Sequence, residues 1–520
     1  MKSELHETAD PVNLCDLSSP QRRSFVKGIV SLGAGLAASP FLPNAAHAQS
    51  PAPSSATWGP PGDDVAPIVP SSGVGRYFHV FYPASQTAGE LQIAVNYTLW
   101  MPEAIDKVRG VIVHQHGAGM EAAHYGSFSA YDLHWQALAK KWDCVLVGPS
   151  YRVTNDAVDL TPGGAELWFD PRHGSDKAFM KALGEIGEKS GHPEIATVPW
   201  CLWGHSGGGI WSNAMSILYP SRVAAAFLRS GAVNMFRGRP QFPQLDVPEA
   251  VYAIPIMTVA GIMERRNGSW GTFTTTFQEY RAHGAPIGWA PDPRTAHFCG
   301  DSRYLAIPFF DASLAMRLPE KGAKIQALRP VDHSHAWVAA YPGDIAVPAS
   351  EFKGDEKQAV WLPNAAVAKA WMDYVKSGTV ADSSLPPAPF NVRVNDKGGQ
   401  GMEVTWDAEA GLASGLGGFI VLRDDQGVAR LPAQAPEEIY GRPLFQGLSF
   451  HDTPTGPLPR MVYLDSSAKP GVDHIYTVTA LSGAGVPSIP AASSAEMRSL
   501  TGKFTRSIPR ASEFPNGERT

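Results

Sequence analysis

Cysteine is scarce in this chain, four residues among 520. Cys15 lies in the N-terminal stretch. Cys144, Cys201 and Cys299 remain, an odd set that argues against a disulfide framework. Cys144 and Cys201 each open an apolar run and read as small buried hydrophobes. None of the three has metal-ligand spacing, so no metal is expected. An excess of one charge is also missing. Lys and Arg number 43 against 49 Asp and Glu, a net charge of −6, with no basic block and no basic–aromatic stripe. That composition argues against nucleic acid as a partner. Beyond the N-terminal region no apolar stretch reaches membrane-spanning length. Glycine and proline, by contrast, are plentiful (51 and 45), as suits long loops and β-rich segments. The apolar fraction of 44% is that of an ordinary soluble globular protein, and the length allows two or three domains.

The N-terminus reads as an export signal. Arg22-Arg23-Ser24-Phe25-Val26-Lys27 resembles the twin-arginine pattern, with Val26 where Leu is usual. A weakly apolar run (28–42) follows, then Ala46-His47-Ala48, an A-x-A-like cleavage site. The run is too short to cross about 30 Å of hydrocarbon, and Pro40 interrupts it, so it does not read as an anchor. The expectation is a signal at 1–48, cleaved after Ala48, and a periplasmic or extracellular protein without membrane contact once the signal is gone. Residues 49–75, rich in Pro, Ser and Gly, read as a linker.

From Tyr77 onward the pattern is that of folded layers. Leu91-Gln92-Ile93-Ala94-Val95-Asn96-Tyr97 alternates at period two, as a half-exposed strand should. The runs 111–114 and 144–147 are continuously apolar, typical of strands covered on both faces, and a helical pattern (131–141) lies between them. Runs 224–228 and 256–260 follow. Phe273, Phe277 and Tyr280 then mark one helix face, and 287–290 is the last short strand of the series. Strands alternating with helices argue an α/β class with a doubly wound, mostly parallel sheet over 76–380. Residues 324–376 read as an elaboration that ends in a helix at 364–376.

Within this layer stands Gly204-His205-Ser206-Gly207-Gly208, between the apolar run 198–203 and a helical stretch (210–219). Strand, Gly-x-Ser-x-Gly and helix together resemble the nucleophile elbow of the α/β-hydrolase superfamily. Such a turn strains the backbone at Ser206 and admits only residues without bulk at Gly204 and Gly208. The resemblance implies the chain order nucleophile, acid, histidine, with all three meeting at the carboxyl edge of the sheet. Glu264, just past 256–260, fits the acid position, although most members of the superfamily use Asp there. His297, 33 residues further on, fits the base. The rival is Asp332-His333-Ser334-His335-Ala336-Trp337, which follows the strand-like run 324–328. Were that run the last strand, His333 or His335 would be the base; His297 is preferred.

The same resemblance implies an oxyanion hole from the amide of Gly207 and one from His114-Gln115-His116-Gly117-Ala118-Gly119, similar to the His-Gly type of oxyanion turn. Ala118 is the first choice of donor and Gly119 the second. His114 and His116 alternate along a strand and point to opposite faces, so a shared metal is not expected. No cofactor is implied. The stretch 151–174 carries Trp168 and Phe169, which read either as a wall or lid of the site or as a packed loop.

A different texture begins at Leu385-Pro386-Pro387-Ala388-Pro389. Strand-like runs 391–394, 402–406, 418–423 and 475–480 follow with no helix between them. The opening prolines, Trp406, the Phe419-Ile420-Val421-Leu422-Arg423 run and the Tyr476-x-Val478-x-Ala480 strand resemble a fibronectin type III domain over 385–495. No catalytic constellation occurs in it, so it reads as a spacer, a surface-contact module or a stabilising appendage. Residues 496–520 form a tail. The whole chain is read as an exported serine hydrolase of carboxylic esters. Polymeric esters (polyester or cell-wall) and peptides remain alternative substrates of the same machinery. The rival from another class is a binding protein built on a hydrolase scaffold.

Overall fold

The computed structural model describes residues 75–119, 125–153, 167–237, 244–267, 269–323, 327–434, 441–442, 444–469 and 471–493. The expected export signal, residues 49–74 of the linker, most of the loop before Trp168 and the tail lie outside the described residues.

Runs of Val, Ile, Leu and Ala build the centre of an eight-stranded sheet, because helices cover both of its faces and leave no side for polar residues. Its strands are β1 (Gly75–Tyr82), β2 (Val95–Pro102), β3 (Gly110–Gln115), β4 (Cys144–Tyr151), β5 (Trp200–His205), β6 (Val223–Arg229), β7 (Ile256–Gly261) and β8 (Ile287–Asp292). They lie in the order β1-β2-β4-β3-β5-β6-β7-β8. β2 pairs antiparallel with β1 and β4, and from β4 onward every pairing is parallel. The helices α1 (Leu133–Lys141), α2 (Ser175–Ser190), α3 (Gly207–Leu218) and α4 (Ser269–Ala282) connect consecutive parallel strands. α5 (Arg303–Arg317) follows β8. Asp132 caps α1 by accepting from the amides of His134 and Trp135.

Two expectations shift. The alternating run 91–97 enters the sheet only at Val95. β2 continues to Pro102 and is buried along its whole length, because β1 and β4 flank it and the sheet is covered on both faces. Leu91 and Ile93 pack into the core from the preceding loop. Of the strand-like run 324–328, Ala327 and Leu328 form no strand, and 324–326 lie outside the described residues. The Arg329 amide donates to the Arg317 carbonyl, which turns the chain back along the end of α5 instead of into the sheet. A small three-stranded sheet follows, β9 (Trp337–Ala339), β10 (Ala346–Pro348) and β11 (Val360–Leu362), and then α6 (Ala365–Ser377).

The C-terminal part holds two antiparallel sheets. One has the order β12 (Phe390–Asp396), β13 (Met402–Asp407), β16 (Val462–Asp465). The other has β15 (Gln426–Leu431), β14 (Gly418–Arg423), β17 (Tyr476–Leu481), β18 (Ala491–Ala492). Burial alternates along β13 as a one-sided strand requires. Trp406 from the first sheet meets Phe419 from the second edge-on at 5.2 Å. β15, β16 and β18 had no counterpart among the expected strands. They are short or mixed in character, and pairing with their neighbours defines them.

The connection from β15 to β16 leaves the sandwich and lies against the α/β layer. There the fully buried Arg303 donates from Nε to Asp452 Oδ1 at 2.7 Å and from its terminal nitrogen to Asp132 Oδ2 at 2.7 Å. Burial alone would push the Asp452 carboxyl up, but the Arg303 charge beside it holds it below the usual carboxylate range. Gln446 adds two bonds, accepting from the Leu133 amide at 2.9 Å and donating to the Tyr131 carbonyl at 2.7 Å. The C-terminal part is therefore joined to the α/β layer by a buried polar cluster. Removing one member of such a cluster leaves unpaired buried charge. Arg303→Met is expected to lower stability by about 3–5 kcal/mol in urea unfolding at neutral pH; a loss below about 1 kcal/mol would show that this cluster does not hold the parts together.

Candidate active site

β5 ends at His205 and α3 starts at Gly207, so Ser206 alone makes the turn, with φ 53° and ψ −119°. A non-glycine residue at positive φ is strained and persists only where its surroundings hold it. The turn is also too close for bulk. A Cβ at Gly204 would lie 2.1 Å from the Gly208 carbonyl oxygen, and one at Gly208 would lie 2.2 Å from the Gln115 carbonyl oxygen.

The half-exposed Ser206 hydroxyl donates to His297 Nε2 at 2.9 Å. His297 Nδ1 lies 2.7 Å from Glu264 Oε1. A carboxylate only accepts, so the His297 proton sits on Nδ1 and the Nε2 lone pair faces the serine. His297 leaves β8 through the loop before α5, and Glu264 follows the end of β7. Each therefore hangs over the carboxyl edge of the sheet, beside the end of β5.

Glu264 has no exposure to solvent. Burial pushes its pKa up, but the His297 hydrogen bond, the Arg229 charge and the Ser230 hydroxyl outweigh it and hold the group below its ordinary 4.5. Its Oε2 accepts from Ser230 Oγ at 2.7 Å and from the Gly261 amide at 3.0 Å, and an Arg229 nitrogen stands 3.5 Å away. Its cation is Arg229, at the end of β6, which the sequence reading missed. The signal was a single Arg closing an otherwise apolar strand. Arg229 also donates to Thr295 Oγ1 (2.8 Å), the Ala296 carbonyl (3.2 Å) and the Phe298 carbonyl (2.5 Å), and so pins the loop that carries His297.

Gly207 and Ala118 face each other across the turn: a Cβ at Gly207 would lie 3.1 Å from the Ala118 nitrogen. Among the described residues neither amide has an acceptor. Gly119 has φ 108° and open space beside it. His114 and His116 make separate contacts. His114 is buried, stacked on Trp203 at 4.0 Å, and reaches Ser129 Oγ at 3.2 Å. His116 Nε2 lies 2.6 Å from the Pro149 carbonyl. His333 and His335 bond to neither Ser206 nor Glu264. They are exposed and line a cavity of about 500 Å³ with Trp337, Pro348 and Asn364. Trp168 and Phe169 are buried, with Trp168 stacked on Tyr151 at 4.3 Å, so this part of the stretch is packed core and not an exposed wall.

The C-terminal part was read as a spacer, a surface-contact module or a stabilising appendage. Its β15–β16 connection brings Phe450 and His451 to the elbow. The Phe450 ring centre lies 5.7 Å from that of His205 and 6.2 Å from that of His297. His451 Nδ1 lies 2.7 Å from His205 Nδ1 and accepts from the Gly117 amide at 3.2 Å. Nothing in the local sequence pointed there, because the approach depends on how the two layers dock.

No protein-family model and no curated protein matches this sequence. Solved structures similar to it include a thermostable esterase, at 13% identity and TM-score 0.28 over 41% of this chain; the match spans about half (54%) of that protein. An S-formylglutathione hydrolase from Agrobacterium tumefaciens is similar at 15% identity and TM-score 0.32, over 47% of this chain and 94% of that one. An acetyl xylan esterase from Aspergillus awamori is similar at 13% identity and TM-score 0.26, over 38% of this chain and 80% of that one. At such scores the likeness decides nothing about the chemistry, which rests on the geometry above.

The depressed Glu264 pKa has a definite sign. A carboxyl with a lower pKa folded than unfolded contributes stability above about pH 4.5, and this is lost as pH falls through the folded value. The stability advantage of the wild type over Glu264→Gln is therefore expected to be largest above pH 5 and to shrink with acidification; urea midpoints measured from pH 3 to 7 check it.

Proposed function

We propose that this protein is a serine hydrolase that cleaves carboxylic esters through an acyl-enzyme. The observation that carries the reading is the continuous hydrogen-bonded chain Ser206–His297–Glu264, with the serine on a strained turn beside two unengaged amides. A serine hydroxyl is a poor nucleophile near neutral pH and needs a base in contact. Ser206 Oγ attacks the acyl carbon, and His297 Nε2 takes its proton. The carbonyl oxygen becomes an oxyanion that the Gly207 and Ala118 amides receive. Each such donor is typically worth about 3 kcal/mol of barrier. The C–O bond then breaks, and His297 returns the proton to the departing alcohol. Water enters, His297 takes one of its protons, and the second tetrahedral species collapses to the free acid and Ser206. Glu264 stays ionised throughout, orienting the imidazole and stabilising its charged form.

Residues 1–48 act as a twin-arginine export signal, and the mature protein works in the periplasm or outside the cell. Residues 385–495 are a fibronectin type III-like module, and a polymeric ester is the substrate class that such an arrangement suits. An ester and an amide would meet the same nucleophile, so the discriminating assay offers both.

Fluorophosphonate is expected to label Ser206, as located by peptide mass, and Ser206→Ala is expected to abolish labelling. The same substitution should lower turnover of p-nitrophenyl esters on the order of 10⁴-fold or more. Anilides of amino acids should be turned over more slowly than esters by the wild type. A folded wild type that neither takes the label nor hydrolyses any ester of a size-graded panel would favour the binding-protein reading instead.

A further inference from the structure

The connection between β15 and β16 contributes an imidazole to the proposed site, and its placement is specific. His451 is buried (7% exposed), and its Nδ1 accepts the Gly117 amide proton at 3.2 Å. Gly117 lies between this ring and the serine. A Cβ there would stand 2.6 Å from His451 Cε1 and 2.7 Å from its Nδ1 on one side, and 3.2 Å from Ser206 Cβ on the other. The next amide in the chain is that of Ala118, which faces Gly207 without an acceptor. Whatever holds the Gly117 peptide therefore sets where the Ala118 N–H points, because a peptide unit is planar and only two soft torsions separate one amide from the next.

Among the described residues no other side chain does this. His116 is adjacent, but burial pushes its pKa down to about 4, so near neutrality the ring carries a single N–H. Its shorter contact, 2.6 Å from Nε2 to the Pro149 carbonyl, takes that proton. The Nδ1 atom is then a lone pair facing the Gly117 carbonyl at 3.1 Å, which cannot hold it. His451 is neutral as well, since burial and the neighbouring histidines hold it well below its ordinary value. The lone pair that Gly117 needs puts the His451 proton on Nε2. His451 Nδ1 also lies 2.7 Å from Nδ1 of His205, the residue before the serine. His205 in turn lies 2.5 Å from the His297 carbonyl. One ring nitrogen thus joins the loop carrying Ala118 to the strand carrying Ser206, next to the backbone of His297. The ring's own position is set by its neighbour Asp452 on Arg303 and by the Phe450 carbonyl, which accepts from the Cys299 amide at 3.3 Å.

We propose that His451 is a positioning residue for the oxyanion hole, so that the C-terminal sandwich completes the active centre instead of merely accompanying it. The proposal rests on the serine-hydrolase reading above and adds to it a residue from outside the α/β layer. It acts through the Gly117 peptide and does not touch the substrate. Its effect should therefore fall on the step in which negative charge develops, while ground-state binding stays nearly unchanged.

The test uses the full chain with a p-nitrophenyl ester and compares three substitutions. Asn places an amide oxygen close to where Nδ1 stood, Gln carries its amide one bond further out, and Leu fills the space without an acceptor. His451→Leu and His451→Gln are expected to lower kcat about 10- to 100-fold with KM within about threefold of wild type. His451→Asn should recover most of the loss. Urea unfolding reports whether each variant is folded. If Leu does not fold, the Asn–Gln comparison decides alone. Equal activity of folded Asn and Gln variants, or wild-type kcat in folded His451→Leu, overturns the role of His451. The parent reading fails separately, through a wild type that neither hydrolyses esters nor takes fluorophosphonate at Ser206.

Discussion

A carboxylate removed from water has to be compensated by what surrounds it, and much of this centre follows from that need at Glu264. Two of its partners are side chains, His297 and Ser230, a third is the Gly261 amide, and Arg229 supplies the opposing charge. Each partner brings a constraint of its own. Ser230 sits at φ 53°, a second strained serine beside the first. One terminal nitrogen of Arg229 donates to carbonyls of the His297 loop, so the group that stabilises the carboxylate also places the imidazole. Position and charge at the centre are thus set by one buried network.

A second buried network has a different purpose. Arg303 between Asp132 and Asp452 ties the cap of α1, the start of α5 and the β15–β16 connection at one point. Buried ion clusters of this kind add little net stability compared with apolar packing, but they tolerate few alternative arrangements. An apolar contact between two layers could slide by a fraction of a residue and cost little. A guanidinium forked between two carboxylates cannot, and that fixed register is what lets His451 meet Gly117.

The parts legible in the sequence are those in which a local demand writes a local pattern. The parallel strands are apolar without alternation because both faces are covered, and those runs appear as such at 111–114, 144–147 and 224–228. The elbow needs glycine at Gly204 and Gly208, because the Gly208 and Gln115 carbonyls come too close for any side chain. Candidates for acid and base could be ordered because each follows a strand end. The half-exposed reading of 91–97 went astray because the fate of that run depended on its neighbours and not on its own pattern.

What the chain by itself determined is the alternation of strands and helices, the elbow at Ser206 and the candidates Glu264 and His297, with His333 and His335 as rivals to the last, since periodicity, glycine and chain order are properties of neighbouring residues. Tertiary structure alone decided three things. It made Arg229 the counter-charge, it turned Trp168 into core, and it carried His451 from a distant connection to the Gly117 amide. Such contacts join positions far apart in the chain, 246 residues in the case of His205 and His451, and they exist only once separate layers have docked. Docking is governed by shape and buried charge across both surfaces together, which no local stretch of sequence records.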